Sequence, residues 1–371
     1  MQRALPPFRA DHVGSLLRPQ YLREARARRD SGEISALQLK EVEDQAIQNS
    51  IAKQDAIGLD GITDGEFRRT FSHTDFLEQL QGVESYPAGQ SIQFKGGQAK
   101  VKGLKVTAKI QAGVHAGVHP MVEHFKFLKA HVPNKTAKMT IPSPSVLHYR
   151  GGRATVSPRV YPSMDEFYHD LGQAYKRVVS DFGAAGCQYL QLDEVIFTYL
   201  CDNEQREMLR SRGDDPANLP AIYAGMINAA TSRRPPGMRV ALHLCRGNFR
   251  SMWIAAGGYE PVADVLFNKI DVDAYFMEWD TDRAGGFEPL RLVPKDKQVV
   301  LGIVTSKAGA LEEKDDLKRR LDEAGRFIDL DQLCLSPQCG FASSEEGNLL
   351  TEDEQWAKLR RVVEVAQEVW G

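Results

Sequence analysis

The sequence predicts an α/β fold, a single (β/α)8 TIM barrel with a small antiparallel β insertion. Two observations predict it. Short apolar runs that read as strands alternate with helical patterns along the chain, which requires a parallel sheet with crossover helices. Eight such runs occur, and polar or metal-binding residues gather at their carboxyl ends, where such a barrel builds its active site. At 371 residues the chain is long for one domain, yet a closed barrel uses that length as one unit, 1–371.

The first run covers Phe8 to Gly14 and closes on Asp11-His12-Val13-Gly14-Ser15. Helical patterns over 19–29 and 35–57 follow, the second opened by a Ser35 cap. The second run, 61–66, ends in Gly65-Glu66. From 82 to 113 apolar and polar residues alternate singly, which predicts antiparallel ribbons inserted into the barrel. Lys95, Lys100, Lys102, Lys105 and Lys109 in that insertion read as a solvated face.

The barrel pattern then resumes. A helix over 119–131 leads to strand 138–141, with Ser143 and Tyr149 beyond its end. Helix 164–185 leads to strand 188–194, which ends in Asp193-Glu194. Helix 217–233 leads to strand 240–244 and the His243-Leu244-Cys245 end. Helix 259–269 leads to strand 273–279, carrying Glu278, and a short helix over 287–292 leads to strand 298–304, followed by Ser306-Lys307. Helix 312–328 leads to the last run, 333–340, which carries Cys339, and helix 351–369 finishes the chain.

The charges nearly balance, 47 Lys+Arg against 50 Asp+Glu, so no basic field invites nucleic acid. Five cysteines, an odd number in a long chain, make no disulfide framework and fit a reducing compartment. The amino terminus lacks the apolar core of a signal peptide, and no run approaches the ~20 apolar residues that cross a bilayer. A soluble, cytoplasmic protein without a membrane partner is expected. Nothing in the sequence indicates an oligomeric state.

His243 and Cys245 lie two apart on a strand, so imidazole and thiol point to one side. Glu278 and Cys339 close the sixth and eighth runs, within reach of the same barrel mouth. Two thiolates, one imidazole and one carboxylate suit Zn2+. Cys187, Cys201 and Cys334 have no such company and read as packed thiols, and His73 among the remaining histidines reads as a packing or surface residue. Glu66 and Asp193 fit either a pocket or a rim ion pair.

These strand ends resemble those of the cobalamin-independent methionine synthase family. His243-x-Cys245, Glu278 and Cys339-Gly340 match its zinc-ligand pattern, Val13-Gly14-Ser15 its first strand end, and Gly65-Glu66 and Asp193-Glu194 its Gly-Glu and Asp-Glu. The likeness is greatest to short, single-barrel bacterial homologues with His-x-Cys-Arg-Gly-Asn (243–248) and Ser-Pro-Gln-Cys-Gly-Phe-Ala-Ser (336–343). It covers the whole chain, but only the catalytic, carboxyl-terminal half of the full-length synthase.

The resemblance implies zinc-dependent transfer of a methyl group to the sulfur of homocysteine, giving methionine, with 5-methyltetrahydrofolate as the family's donor. It implies that Glu66 and Asp193 hold the amino acid's ammonium and the Ser15 backbone its carboxylate. Tyr149 falls where the synthase stacks a Trp on the pterin. An alternative is zinc-dependent alkyl transfer to another thiol, such as coenzyme M opening an epoxide. Its sulfonate would need cations, and Arg18, Arg246 and Lys307 are the candidates. A second alternative is a non-catalytic zinc protein, whose metal site would be closed and remote from pocket carboxylates. One departure bears on the donor. The family's Asp-Ile-His at the seventh strand end is Val304-Thr305-Ser306 here. The imidazole that delivers a proton to the departing nitrogen is therefore missing. His12, His148 or water would substitute, or the donor is one whose leaving group needs no proton, such as methylcobalamin.

Overall fold

The computed structural model describes residues 3–87, 91–110 and 117–371. In chain order the strands are β1 (Gly61–Ile62), β2 (Val83–Tyr86), β3 (Ile92–Phe94), β4 (Gly97–Ala99), β5 (Gly103–Val106), β6 (Thr136–Pro142), β7 (Tyr189–Asp193), β8 (Arg239–Leu244), β9 (Ala274–Glu278), β10 (Gln298–Val304) and β11 (Leu333–Pro337). One parallel sheet runs β1-β6-β7-β8-β9-β10-β11, with crossover helices packed outside it.

The eighth stave is the first run of the sequence, and it differs from expectation. It makes one parallel bridge, Ala10 to Leu335, and no extended ladder. Asp11 N donates to Leu335 O at 3.0 Å and Leu335 N to Arg9 O at 2.8 Å. On the other flank Leu16 N donates to Gly65 O at 3.0 Å and Thr63 Oγ1 to Gly14 O at 2.7 Å. The cause is local chemistry. Pro6 and Pro7 have no N–H to donate, and the Asp11 carboxylate accepts from Phe8 N and His12 N, at 3.1 and 2.8 Å. β1 likewise stops at Ile62, short of the expected 66, because Gly65 and Glu66 turn to φ 65° and 60°.

Alternation along the strands divides the core in two. Val13, Tyr189, Ala241, Phe276, Val300 and Cys334 pack inside the barrel. Their neighbours Leu190, Leu242, Met277 and Leu301 pack outward beneath the helices. Between the apolar groups inside lies an ion pair, Lys138 Nζ to Asp11 Oδ1 at 3.1 Å, both side chains fully buried. Lys138 also donates to His12 O and sits 4.0 Å from the Phe276 ring centroid, while Tyr189 OH donates to Asp11 Oδ2 at 2.8 Å. Asp11 is thus an interior residue, not one of the mouth.

The long helices follow their caps. Ser35 with Gln38 boxes the start of Ala36–Ala56, and Thr351 with Glu354 that of Glu352–Trp370. Two short helices that the sequence reading lacks, Ser145–Gly151 and Asn203–Ser211, wall one side of the mouth. The insertion is two antiparallel ribbons, β2–β5 and β3–β4; residues 88–90 and 111–113 of the expected 82–113 lie outside the described ones. Four of its five lysines pair with carboxylates, Lys95 with Glu204, Lys102 with Glu78, Lys105 with Glu84 and Lys109 with Glu166. Lys95 N also donates to Trp253 O at 2.7 Å, which fastens the β3–β4 ribbon beside the mouth. Among the described residues no helix is long and apolar enough to cross a membrane.

Removing one member of a buried ion pair strands the other charge, at about 3–5 kcal/mol. Lys138→Met is therefore expected to lower the unfolding free energy by that amount, read as a lower urea midpoint with an unchanged slope. A loss below about 1 kcal/mol would show that the pair does not hold the first stave.

Candidate active site

Parallel register sets the site's first row. Pro142 of β6 lies opposite Asp193 of β7, and Asp193 opposite His243 of β8. Cys245 follows β8 by one residue, and Cys339 lies just past β11. One donor atom from each of His243, Cys245 and Cys339 falls within 4.8 Å of the others, and all three side chains are buried. His243 Nε2 is 3.5 Å from Cys339 Sγ. Metal–nitrogen and metal–sulfur bonds of about 2.05 and 2.3 Å at a tetrahedral angle give a separation of about 3.5 Å. His243 Nδ1 is buried with no hydrogen-bond partner. The hydrogen bond with Cys245, then burial, pushes the Cys339 thiol well above its ordinary range. This donor set fits a soft cation.

Glu278, the fourth expected ligand, is not in that group. Its Oε1 accepts from Arg283 Nε at 2.9 Å and pairs with Arg283 Nη2 at 2.8 Å, and its Oε2 accepts from Arg246 N at 3.0 Å. Asp280 shares the same arginine at 2.7 Å. Arg283 had no signal in the sequence beyond its place five residues past Glu278.

Glu66 and Asp193 form a second group. Glu66 Oε1 accepts from Thr140 Oγ1 at 2.8 Å, and its Oε2 lies 3.3 Å from Arg69 Nη1. Gln191 Nε2 donates to Asp193 Oδ1 at 2.8 Å. Burial raises the pKa of both carboxyls; Arg69 opposes it at Glu66, while the Asp193 charge adds to it. At Asp193 the opposition comes chiefly from His243 and the Gln191 hydrogen bond. Arg69 was missed in the sequence, although it stands only three residues past Glu66.

The remaining expected contacts divide. Ser15 is buried against the loop after β11: Phe341 N donates to Ser15 O at 2.9 Å, and a side chain at Gly340 would fall 1.9 Å from Ser15 Oγ. Arg18 is occupied by four carbonyls, those of Leu16, Ala342, Glu66 and Arg69, so it braces loops and offers nothing to a ligand. Arg246 is fully buried 4.6 Å from the Tyr259 ring centroid and lines neither cavity described below. Lys307 Nζ donates to Gly247 O and Asn248 Oδ1, at 3.1 and 3.0 Å. Ser306 faces Gln338 Oε1, at 2.6 Å, instead of open space. His12 and His148 are enclosed, the first against Gly61 O and the second against two tyrosine hydroxyls; burial lowers each to about 4.

Two connected cavities open at the mouth. The inner one is lined by Asp193, Cys245 and Asn248 and walled by Phe71, Phe94 and Tyr199. The outer one lies between the ribbons and the short helices and is lined by Tyr149, Gln205 and Arg212. His73, Ile92 and Arg150 line both. Tyr149 OH donates to Gln205 Oε1 at 2.6 Å, so its ring belongs to the outer cavity.

A barrel with two thiols and an imidazole at one end of its strands, in the same region as two buried carboxylates, carries donors that suit a soft metal ion. The family model described as "Cobalamin-independent synthase, Catalytic domain" matches residues 8–368, and the chain belongs to that family, a methionine synthase-like methyltransferase family. The uncharacterized protein YxjH of Bacillus subtilis (strain 168) is 49% identical over 365 residues, covering 98% of this chain and 95% of its own. A putative vitamin-B12 independent methionine synthase from Listeria monocytogenes has a similar structure, with TM-score 0.80, 39% identity and full coverage of both chains. A B12-independent methionine synthase from Shewanella sp. W3-18-1, solved with selenomethionine, shares the fold at TM-score 0.71, 19% identity and 97% coverage of each chain.

A buried carboxyl whose folded pKa is raised costs stability above that pKa, and the cost is relieved as pH falls through it. Asp193→Asn is thus expected to keep or raise stability at pH 7, by up to about 1 kcal/mol, read as an unchanged or higher melting temperature. The gain should shrink on acidification. A clear drop in melting temperature would instead mark Asp193 as a structural partner of His243.

Proposed function

We propose that the protein transfers a methyl group to the sulfur of homocysteine, giving methionine, with Zn2+ held by His243, Cys245 and Cys339. The observation that carries this reading is that Cys245 lines the same cavity as Asp193. The soft-donor group and the carboxylate therefore address one bound molecule. Bound Zn2+ would supply a deprotonated substrate thiol at neutral pH. Three protein ligands leave a position for that thiol, as catalytic zinc sites do. Glu278, held by Arg283, would stand at the edge of the set.

The chain's own residues do the rest. Asp193, with Glu66 behind it, receives the ammonium, and the Ser15 segment receives the carboxylate. Asn248, whose Nδ2 donates to Gly340 O at 2.8 Å, holds the loop after β8 to the loop after β11. The cytoplasm is the compartment that suits two reduced thiols. The coenzyme M reading is less well supported, because Arg18 and Arg246, the cations expected for its sulfonate, line neither cavity. A non-catalytic zinc site would be sealed, whereas Cys245 lines a cavity.

Purified protein should bind about one Zn2+ per chain, measured by elemental analysis after dialysis. His243→Ala and Cys339→Ala should lose most of it. Full retention by His243→Ala and Cys339→Ala would refute the assignment.

Homocysteine titrated into the zinc-loaded protein should bind about 1.5–3 kcal/mol more weakly to Asp193→Asn, with zinc content unchanged. Because burial raises both carboxyls, binding to the wild type should weaken on acidification at a pH above the ordinary carboxylate value of about 4. Equal affinity for a thiol without an amino group would remove the ammonium role.

A further inference from the structure

We propose that the methyl donor is a small onium compound, a sulfonium or quaternary ammonium that carries its own carboxylate. The inference rests on the thiol-methylating reading of the site and names the second substrate's chemistry. Its first support is the wall of the inner cavity. Phe71, Phe94 and Tyr199 come from three separate elements and line the same space as Cys245. Phe71 and Phe94 are stiffened through Phe249, with ring centroids at 6.4 and 5.5 Å, and Tyr199 through Tyr149 at 5.3 Å. Aromatic faces on several sides attract a diffuse cation.

The second support is Arg150. It lines both cavities, and among the described residues no carboxylate pairs with it. Its Nε is buried without a partner, and it lines the inner cavity together with Tyr199. A cation at the junction, facing aromatic walls, matches a zwitterion whose onium end enters the inner cavity while its carboxylate stays behind.

The third support is proton supply. A departing amine nitrogen needs a proton. Among the described residues, His73 is the one imidazole that lines either cavity, and burial, with Arg150 beside it, lowers it to about 3. It is neutral at physiological pH. An onium donor avoids the requirement. The deprotonated substrate sulfur forms a bond to the methyl carbon, and the bond from that carbon to the onium centre breaks. The electron pair stays on the departing sulfur or nitrogen, which leaves as a neutral thioether or tertiary amine, with no proton added. The thiol's own proton has gone to solvent.

The test uses zinc-loaded protein with dimethylsulfonioacetate, glycine betaine and 3,3-dimethylbutanoate, the last a neutral-carbon copy of the betaine. Proton NMR should show saturable binding of both onium compounds, with methyl resonances moved upfield by the rings. Dimethylbutanoate should bind at least about fivefold more weakly. Phe94→Leu should weaken onium binding by about the same factor, with homocysteine affinity unchanged. Methionine should form from homocysteine and an onium donor faster than from 5-methyltetrahydrofolate at equal enzyme. The proposal is overturned if the neutral copy binds as well as the betaine, or if the folate is the faster donor. Homocysteine affinity, measured separately by calorimetry, distinguishes the two readings. Homocysteine binding without onium binding removes the donor and spares the thiol reading, and the reverse removes the thiol reading and supports the cation site.

Discussion

Lys138 and Asp11 meet inside the barrel at 3.1 Å, and the first stave keeps its position through that contact. The stave has one bridge to β11, so the ladder alone does not hold it. Asp11 gathers Phe8 N, His12 N, Tyr189 OH and the Lys138 ammonium around one carboxylate. Val13, Gly14 and Ser15 follow directly. Gly14 O takes the Thr63 hydroxyl and Ser15 O takes Phe341 N, so the second strand end and the loop bearing Cys339 are both located by this segment. A charge pair in the barrel's interior thus sets the spacing between the carboxylates and the thiols at its mouth.

The fold was legible because its signals are periodic. Strands buried on both faces read as apolar runs, and their eightfold alternation with helices survives errors of a few residues at each boundary. The thiol and imidazole group was legible for a similar reason. His243 and Cys245 are two apart on one strand, and Cys339 ends another, so the topology converges them without knowledge of side-chain rotamers. What was not legible depends on competition for partners. Glu278 sits at a strand end as expected, but Arg283 and Arg246 N take its oxygens. Arg18 and Arg246 read as mouth cations, yet four carbonyls absorb one and an aromatic face the other. The aromatic walls were invisible for another reason. Phe71, Phe94 and Tyr199 lie far apart in sequence, outside any motif, and only tertiary packing brings them to one cavity.

Two kinds of electrostatic environment coexist within a few residues of one another. Inside the barrel the Asp11 carboxylate is matched by a cation and by hydrogen-bond donors. At the mouth Glu66 and Asp193 are undermatched, and burial raises both. Glu66 has Thr140 and Arg69, and Asp193 has Gln191, against the four donors gathered at Asp11. The same contrast applies to the cations, since Lys138 is paired and, among the described residues, Arg150 has no carboxylate.

Glu66 adopts φ 60°, a left-handed conformation that costs a residue with a Cβ on the order of 1–3 kcal/mol. Glycine or asparagine would hold that backbone more comfortably. Yet the same carboxylate is buried against Arg69 and bonded by Thr140, and either exchange would strand the guanidinium at about 3–5 kcal/mol. The strained backbone and the ion pair are therefore tied together, and the position can relax only if both residues change.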